Sequence, residues 1–216
     1  MHLNELTALW DEHIRDWMKG REASSDERLR CWQETYRGEG DGAIDRDAMP
    51  EPWIGNPRAA PGVVLMGLNP GRVTEAFQHR GGLFPTEINE RYDASWASWA
   101  KSSPYARDPW ETRVGRNAYW SSARSFVEAW AGGPIPDAAT VCFELYPWHS
   151  RSWQTHRFQI DEGIVREFIL DPIASVPRIK WALGKGKSWW ATLESLATLP
   201  EVHAHLAEGR RGVTYP

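Results

Sequence analysis

The sequence predicts an α/β domain built on a central, mostly parallel four-stranded sheet with helices on both faces, a three-layer α/β/α arrangement. Three observations lead there. Short apolar runs, "GVVLMG", "ATVCFELY" and "PRIKWALG", are each too short for a helix and end at turn residues. Segments with helical periodicity separate or follow them, the pattern of a parallel sheet covered on both sides. The chain has 216 residues, 41% of them hydrophobic and 25% charged, which suits one domain with a sizeable core.

The elements follow in chain order. "LNELTALWDEHIRDWM" sets Leu3, Leu6, Leu9 or Trp10, Ile14 and Trp17 on one helical face. "SDERLRCWQETY" is a second helix with Ser25 or Asp26 as its cap. Residues 1–50 are thus a helical segment packed on a single domain spanning 1–216. The turn-rich stretch "GEGDGAIDRDAMPEPWIGNP" reads as loop. After the strand "GVVLMG", a helix is expected over "VGRNAYWSSARSFVEAWAG", ended by Gly132-Gly133, and then the strand "ATVCFELY". "DEGIVREFILDPIA" is a helix starting near Asp161, its length limited by Pro172. "PRIKWALG" is the third strand, "KSWWATLESLAT" the helix after it, and "EVHAHL" the fourth strand.

Composition narrows the function. The formal net charge is −4, so binding to a polyanion needs a local basic face. Fourteen tryptophans are an unusual load, and Trp can fill a core, stack on bases or line a groove. Cys31 and Cys142 lack CxxC spacing, which argues against a zinc or iron–sulfur framework. The charged start "MHLNELTALWDEH" does not resemble a signal peptide, and no apolar run has the length of a membrane span. A cytoplasmic protein is expected.

Ligands of parallel sheets bind beyond the carboxyl ends of the strands. Three segments belong there: "GLNPG" at 67–71, "YPWHS" at 146–150 and "GKGK" at 184–187. In the first, Gly67 and Gly71 permit positive φ or close backbone approach, and Pro70 holds Asn69 extended, a turn suited to aiming the Asn69 amide into a cleft. An ordinary strand-to-helix turn has the same composition. "HSRSWQTHR" at 149–157 interleaves Arg151 and Arg157 with Trp153, as a surface for single-stranded nucleic acid does; a solvated loop anchored by one Trp reads the same way. Lys185 and Lys187 are further candidates for phosphate contact. His203 and His205 share one face of a strand, but no third metal ligand accompanies them, so no metal is expected.

"VVLMGLNPG" resembles the first motif of the uracil-DNA glycosylase superfamily, closest to the mismatch-specific and single-strand-selective branches, which carry Gly-x-Asn-Pro-Gly after the first strand. "RGGLFP" and "PRIKWALGKGKSWWATLES" are similar to later segments of that family, so the resemblance covers roughly residues 53–200. It implies a uracil-DNA glycosylase-like fold, hydrolysis of the N-glycosidic bond of a deaminated or modified base in DNA, no cofactor and a monomer. It makes Asn69 the residue that positions the attacking water. Phe84 becomes the ring stacked on the flipped base, and Gly67, Leu68, Pro70 and Gly71 the wall around them. The family's base-reading asparagine is absent: the matching stretch "CFELYPWHS" offers Glu144, Tyr146 and His149. His149 either donates to the base or a phosphate, or caps its loop through a backbone hydrogen bond. The family's terminal His-Pro-Ser-type motif has no counterpart before "GVTYP". A truncated chain or a missing catalytic component is therefore expected. A non-catalytic nucleic-acid or nucleotide-binding protein on the same fold, and a Trp-rich module that binds protein, are the competing readings.

Overall fold

The computed structural model describes residues 1–21, 24–58, 62–131, 133–136, 139–159, 161–175, 179–185 and 203–207. Five strands form one sheet in the order β1-β3-β2-β4-β5: β1 Trp53–Gly55, β2 Gly62–Gly67, β3 Thr140–Glu144, β4 Ile179–Lys185 and β5 His203–Ala207. β3, β2, β4 and β5 run parallel to one another, whereas β1 runs antiparallel along β3, pairing Trp53 with Phe143 and Gly55 with Val141.

The expected central four-stranded, mostly parallel sheet is therefore corrected to a mixed sheet, in which the three strands β1-β3-β2 combine an antiparallel and a parallel pairing. The three-layer arrangement expected from the strand–helix alternation falls with it, and so does the uracil-DNA glycosylase-like fold that the resemblance implied. β1 escaped the sequence reading for a physical reason. It is three residues long, lies between Pro52 and Asn56-Pro57, and offers no alternation to detect. The connection from β2 to β3 also departs from a single crossover helix. It holds α3 Glu75–Gln78, α4 Leu83–Arg91, α5 Trp96–Ala100 and α6 Trp110–Arg113 before α7 Ala118–Ala131, preceded in the chain by α1 Leu3–Met18 and α2 Glu27–Glu34.

α1 buries Leu3, Leu6, Trp10, Ile14 and Trp17, the predicted stripe with Trp10 as the residue that enters. Asp26 caps α2 by accepting from the Arg28 backbone N–H. Downstream, α8 Glu162–Val165 runs through a π-turn at Arg166–Leu170 into α9 Asp171–Ala174, which ends two residues after Pro172. The expected helix at 187–198 lies outside the described residues.

β2 separates two apolar regions, as a strand with both faces covered does. Val64 and Met66 face the larger core, and Val63 and Leu65 face a smaller one with Cys142 and Val127 of α7. The larger core accounts for much of the tryptophan load. Trp10, Trp32 and Trp148 meet edge-to-face or tilted, with centroids 5.8–5.9 Å apart, and Trp53, Trp96 and Trp99 form a second group. Among the described residues no helix is long and apolar enough to cross a membrane.

Candidate functional site

The strand ends create the site. β2 and β3 are in register through Gly67 and Glu144, and their pairing continues past the strands: Leu145 N–H donates to the Gly67 carbonyl and Tyr146 N–H to that of Leu68. "GLNPG" and "ELYPWHS" thus leave the sheet side by side. Because β1 is antiparallel, its amino-terminal end lies at this same edge. Glu144 N–H donates to the Pro52 carbonyl, and Glu51 N–H to that of Pro147.

A cavity of about 350 Å³ opens here. Its floor and near wall are Gly67, Leu68, Asn69, Glu144 and Glu51; Pro70, Gly71 and Arg72 form one rim. The far wall comes from the segments before β3, with Tyr105, Trp110, Asn117, Tyr119 and Trp120. Asn117 caps the first turn of α7, its Oδ1 accepting from the Trp120 N–H at 3.1 Å.

The glycines of the motif serve different ends. A Cβ on Gly67 would lie 2.2 Å from Glu144 Oε2, so the absent side chain is what lets the carboxyl lie on the strand. Gly71 has φ +81° with nothing near its missing Cβ, so there the conformation selects glycine. Between them Asn69 donates its Nδ2–H to Ser150 Oγ at 3.1 Å, which fixes the amide and leaves Oδ1 as its acceptor.

Glu144 is a strongly perturbed group in the cleft. Burial pushes its carboxyl up to about 8, the nearby charge of Glu51 adds to the rise, and a hydrogen bond from the Cys142 thiol (Sγ to Oε1, 3.6 Å) opposes it. Its Oε2 is enclosed and has no hydrogen-bond partner among the described residues. That shift favours the protonated form of the side chain near neutral pH, the form with a proton to give. Cys142 in turn lies 3.2 Å from the Tyr119 hydroxyl.

Glu51 is held by a separate set of donors. Gln78 Nε2 donates to its Oε1 at 2.7 Å, and the Tyr105 hydroxyl makes a short hydrogen bond to the same atom. Gln78 also donates to Tyr105 at 2.8 Å, closing a buried triangle. His149 Nε2 stands 3.3 Å from Glu51 Oε1, and its Nδ1 lies 3.0 Å from the Gly71 carbonyl.

Several predicted residues stand elsewhere than expected. His149 is fully buried and does not line the cavity; it braces the Gly71 turn and Glu51 from behind, the loop-capping alternative. Phe84 is 1% exposed and also does not line the cavity. It packs among Phe77, Trp99 and Tyr105, and stacks on Trp110 at 5.6 Å and 22°. Its assignment as the base-stacking ring is corrected to a support for Trp110, which does line the cavity; "GGLFP" opens α4, whose first turn faces the core. Tyr146 is buried with its hydroxyl donating to the Gln33 carbonyl at 2.7 Å.

Arg151 and Arg157 are exposed and paired, with Asp41 at 3.4 Å and Glu39 at 3.0 Å, and Trp153 is stacked on Tyr36 with centroids 4.4 Å apart. That stretch is an anchored, charge-balanced loop rather than a bare cationic stripe. Lys185 ends β4, with its side chain outside the described residues, and Lys187 lies outside them altogether. Among the described residues no group of three His, Cys, Asp or Glu is placed to hold a metal.

Gln78, Tyr105, Asn117, Tyr119, Trp120 and Glu51 were not singled out by sequence. Only Glu51 carried a signal, as an acidic residue between two prolines just before a Trp-Ile-Gly run, and it needed β1 to be seen. Comparison of the chain with protein-family models, with curated proteins and with solved structures finds no match.

Proposed function

We propose that this protein hydrolyses the N-glycosidic bond of a deaminated or modified base in DNA, taking the base into the cleft beyond β2 and β3. One observation carries the reading: Asn69, Glu51 and the neutral acid Glu144 line a single cavity. Its volume of about 350 Å³ sits at the low end of the ~300–1,000 Å³ common for small-ligand sites, a size for a base rather than a duplex. A base in that cavity has to leave its stack, and aromatic walls help to hold it.

The chemistry divides among three side chains. Asn69 Oδ1 orients a water toward C1′ of the sugar, and the Glu51 carboxylate accepts the proton that this water gives up. As the bond from C1′ to the ring nitrogen breaks, its electron pair goes to the base. Glu144 delivers a proton to the base, so that it leaves uncharged, and the water oxygen completes the new bond to C1′. Gln78 and Tyr105 keep Glu51 in place, and Ser150 keeps Asn69 in place.

The test is base release from oligonucleotides holding uracil, hypoxanthine, xanthine or a mismatched thymine, read as strand scission after alkali. Release of any of these bases, lost in Glu144→Gln, supports the reading. Binding of the oligonucleotides with no release of any base overturns hydrolysis and leaves a binding protein.

A further inference from the structure

Among its described residues the cleft combines acids with aromatic rings and places little positive charge beside them. Glu51 and Glu144 supply the carboxyls, and Tyr105, Trp110, Tyr119 and Trp120 supply the rings. Among the described lining residues the one cation is Arg72, exposed on the outer turn. Carboxylates and ring faces together are the chemistry that recognises a cation: the carboxylate pairs with the charge and the ring quadrupole attracts it.

The inner end of the cavity makes the same point. Glu144 Oε2 is enclosed without a partner, and Gly67 leaves it room to lie flat on the strand. An enclosed carboxyl avoids the cost of burial either by keeping its proton or by pairing with a positive group. No positive group reaches it from the described residues: its side-chain neighbour is Cys142, and Glu51 and Tyr119 stand nearby.

We infer that the cleft selects a nucleobase bearing a positive charge on its ring, of the N-alkylated class, over the neutral base of the same size. The inference rests on the glycosidic reading only in taking the ligand to be a base. The two fit together chemically. With a neutral base, proton transfer from Glu144 leaves a glutamate facing a protonated ring. A ring-alkylated base presents that charge arrangement from the start, and the electron pair leaving C1′ neutralises it without any proton being supplied.

The experiment uses two isomeric nucleosides and the whole protein. 1-Methyladenosine is a cation at pH 6.5 and N6-methyladenosine is its uncharged isomer, so size and composition cancel and charge remains. Calorimetric titration should show 1-methyladenosine binding about tenfold or more tighter, with the Glu144 proton released to the buffer as the carboxylate pairs with the ring cation. Glu144→Gln should bring the two affinities within about threefold while its thermal unfolding stays cooperative. Equal affinities in the wild-type protein, tighter binding of the neutral isomer, or no binding of either overturns the inference. Base release separates this from the hydrolytic reading. Release of uracil together with equal nucleoside affinities leaves hydrolysis standing and removes the cation preference. A cation preference with no release of uracil, hypoxanthine, xanthine, thymine or 7-methylguanine does the reverse.

Discussion

Replacing Glu144 with glutamine should change how the stability of the protein depends on pH, and the size of the change follows from the site. The carboxyl has an ordinary value of 4.5 in the unfolded chain and about 8 in the fold, where burial and Glu51 disfavour its charge. Between these values the folded state binds a proton that the unfolded state has released, so stability falls as pH rises. Its contribution is fully present below pH 4.5 and is lost progressively as pH climbs through 8. From pH 5 to pH 8 the loss integrates to about 3–4 kcal/mol, from roughly 1.4 kcal/mol per pH unit, reduced at both ends where one state is half titrated.

Glutamine has nearly the same shape and does not titrate. It brings a constant cost or gain and removes the slope. Urea unfolding of wild type and Glu144→Gln at pH 5, 6.5 and 8 gives the difference free of other titrating groups. The variant should gain on the wild type by about 3–4 kcal/mol across that range. A difference that does not vary with pH would mean that Glu144 is an ordinary carboxylate, and the acid assigned to the base would be gone.

Three further outcomes are expected. Asn69→Ala should slow single-turnover base release on the order of 10²–10³-fold with little change in oligonucleotide affinity, because an amide that aims water acts in the transition state; equal rates would remove Asn69 from the chemistry. Gly67→Ala places a methyl 2.2 Å from Glu144 Oε2. A flexible side-chain tip can yield, so the fold should survive while Glu144, followed by carboxyl NMR, titrates nearer the ordinary carboxylate range; an unshifted titration would show that the carboxyl does not need the glycine. Arg72→Ala should weaken binding of single-stranded oligonucleotides and reduce the salt slope by about one, whereas Arg151→Ala and Arg157→Ala, whose charges are matched by Asp41 and Glu39, should leave the slope nearly unchanged.

What was legible in the sequence follows the range of the signal. The α1 stripe, the Asp26 cap and the strands β2 and β3 depend on neighbours a few residues apart, and periodicity and capping chemistry report such neighbours directly. The turn after β2 was legible too, since glycine and proline restrict a backbone locally. Phe84 shows where local reading stops. A Gly-Gly-Leu-Phe-Pro segment says that a helix begins; only the packing of Phe77, Trp99 and Trp110 around it says that the ring points inward. His149 shows the same limit. Its chemistry suits a donor to a base, but whether it lines the cavity or stands behind it depends on Gly71 and Glu51, 78 and 98 residues away in the chain.

Glu51 marks the place where topology, rather than composition, builds the site. In an all-parallel sheet every strand would deliver the residues that follow it to the carboxyl edge, and a residue preceding a strand would lie at the opposite edge. β1 is antiparallel, so the residues before it arrive where the residues after β2 and β3 arrive. The same reversal that overturns the expected sheet thus brings a second carboxyl into the cleft. It also places that carboxyl within reach of Gln78 and Tyr105, which fix it, and close enough to Glu144 for its charge to favour the neutral acid there. The two carboxyls of the cleft differ in their surroundings: one has donors converging on a single oxygen, the other has an oxygen with none among the described residues, and the proposed mechanism gives them different tasks on that ground. Moving the proton-accepting and proton-giving roles apart in this way needs no change of residue type, only a strand that runs the other way.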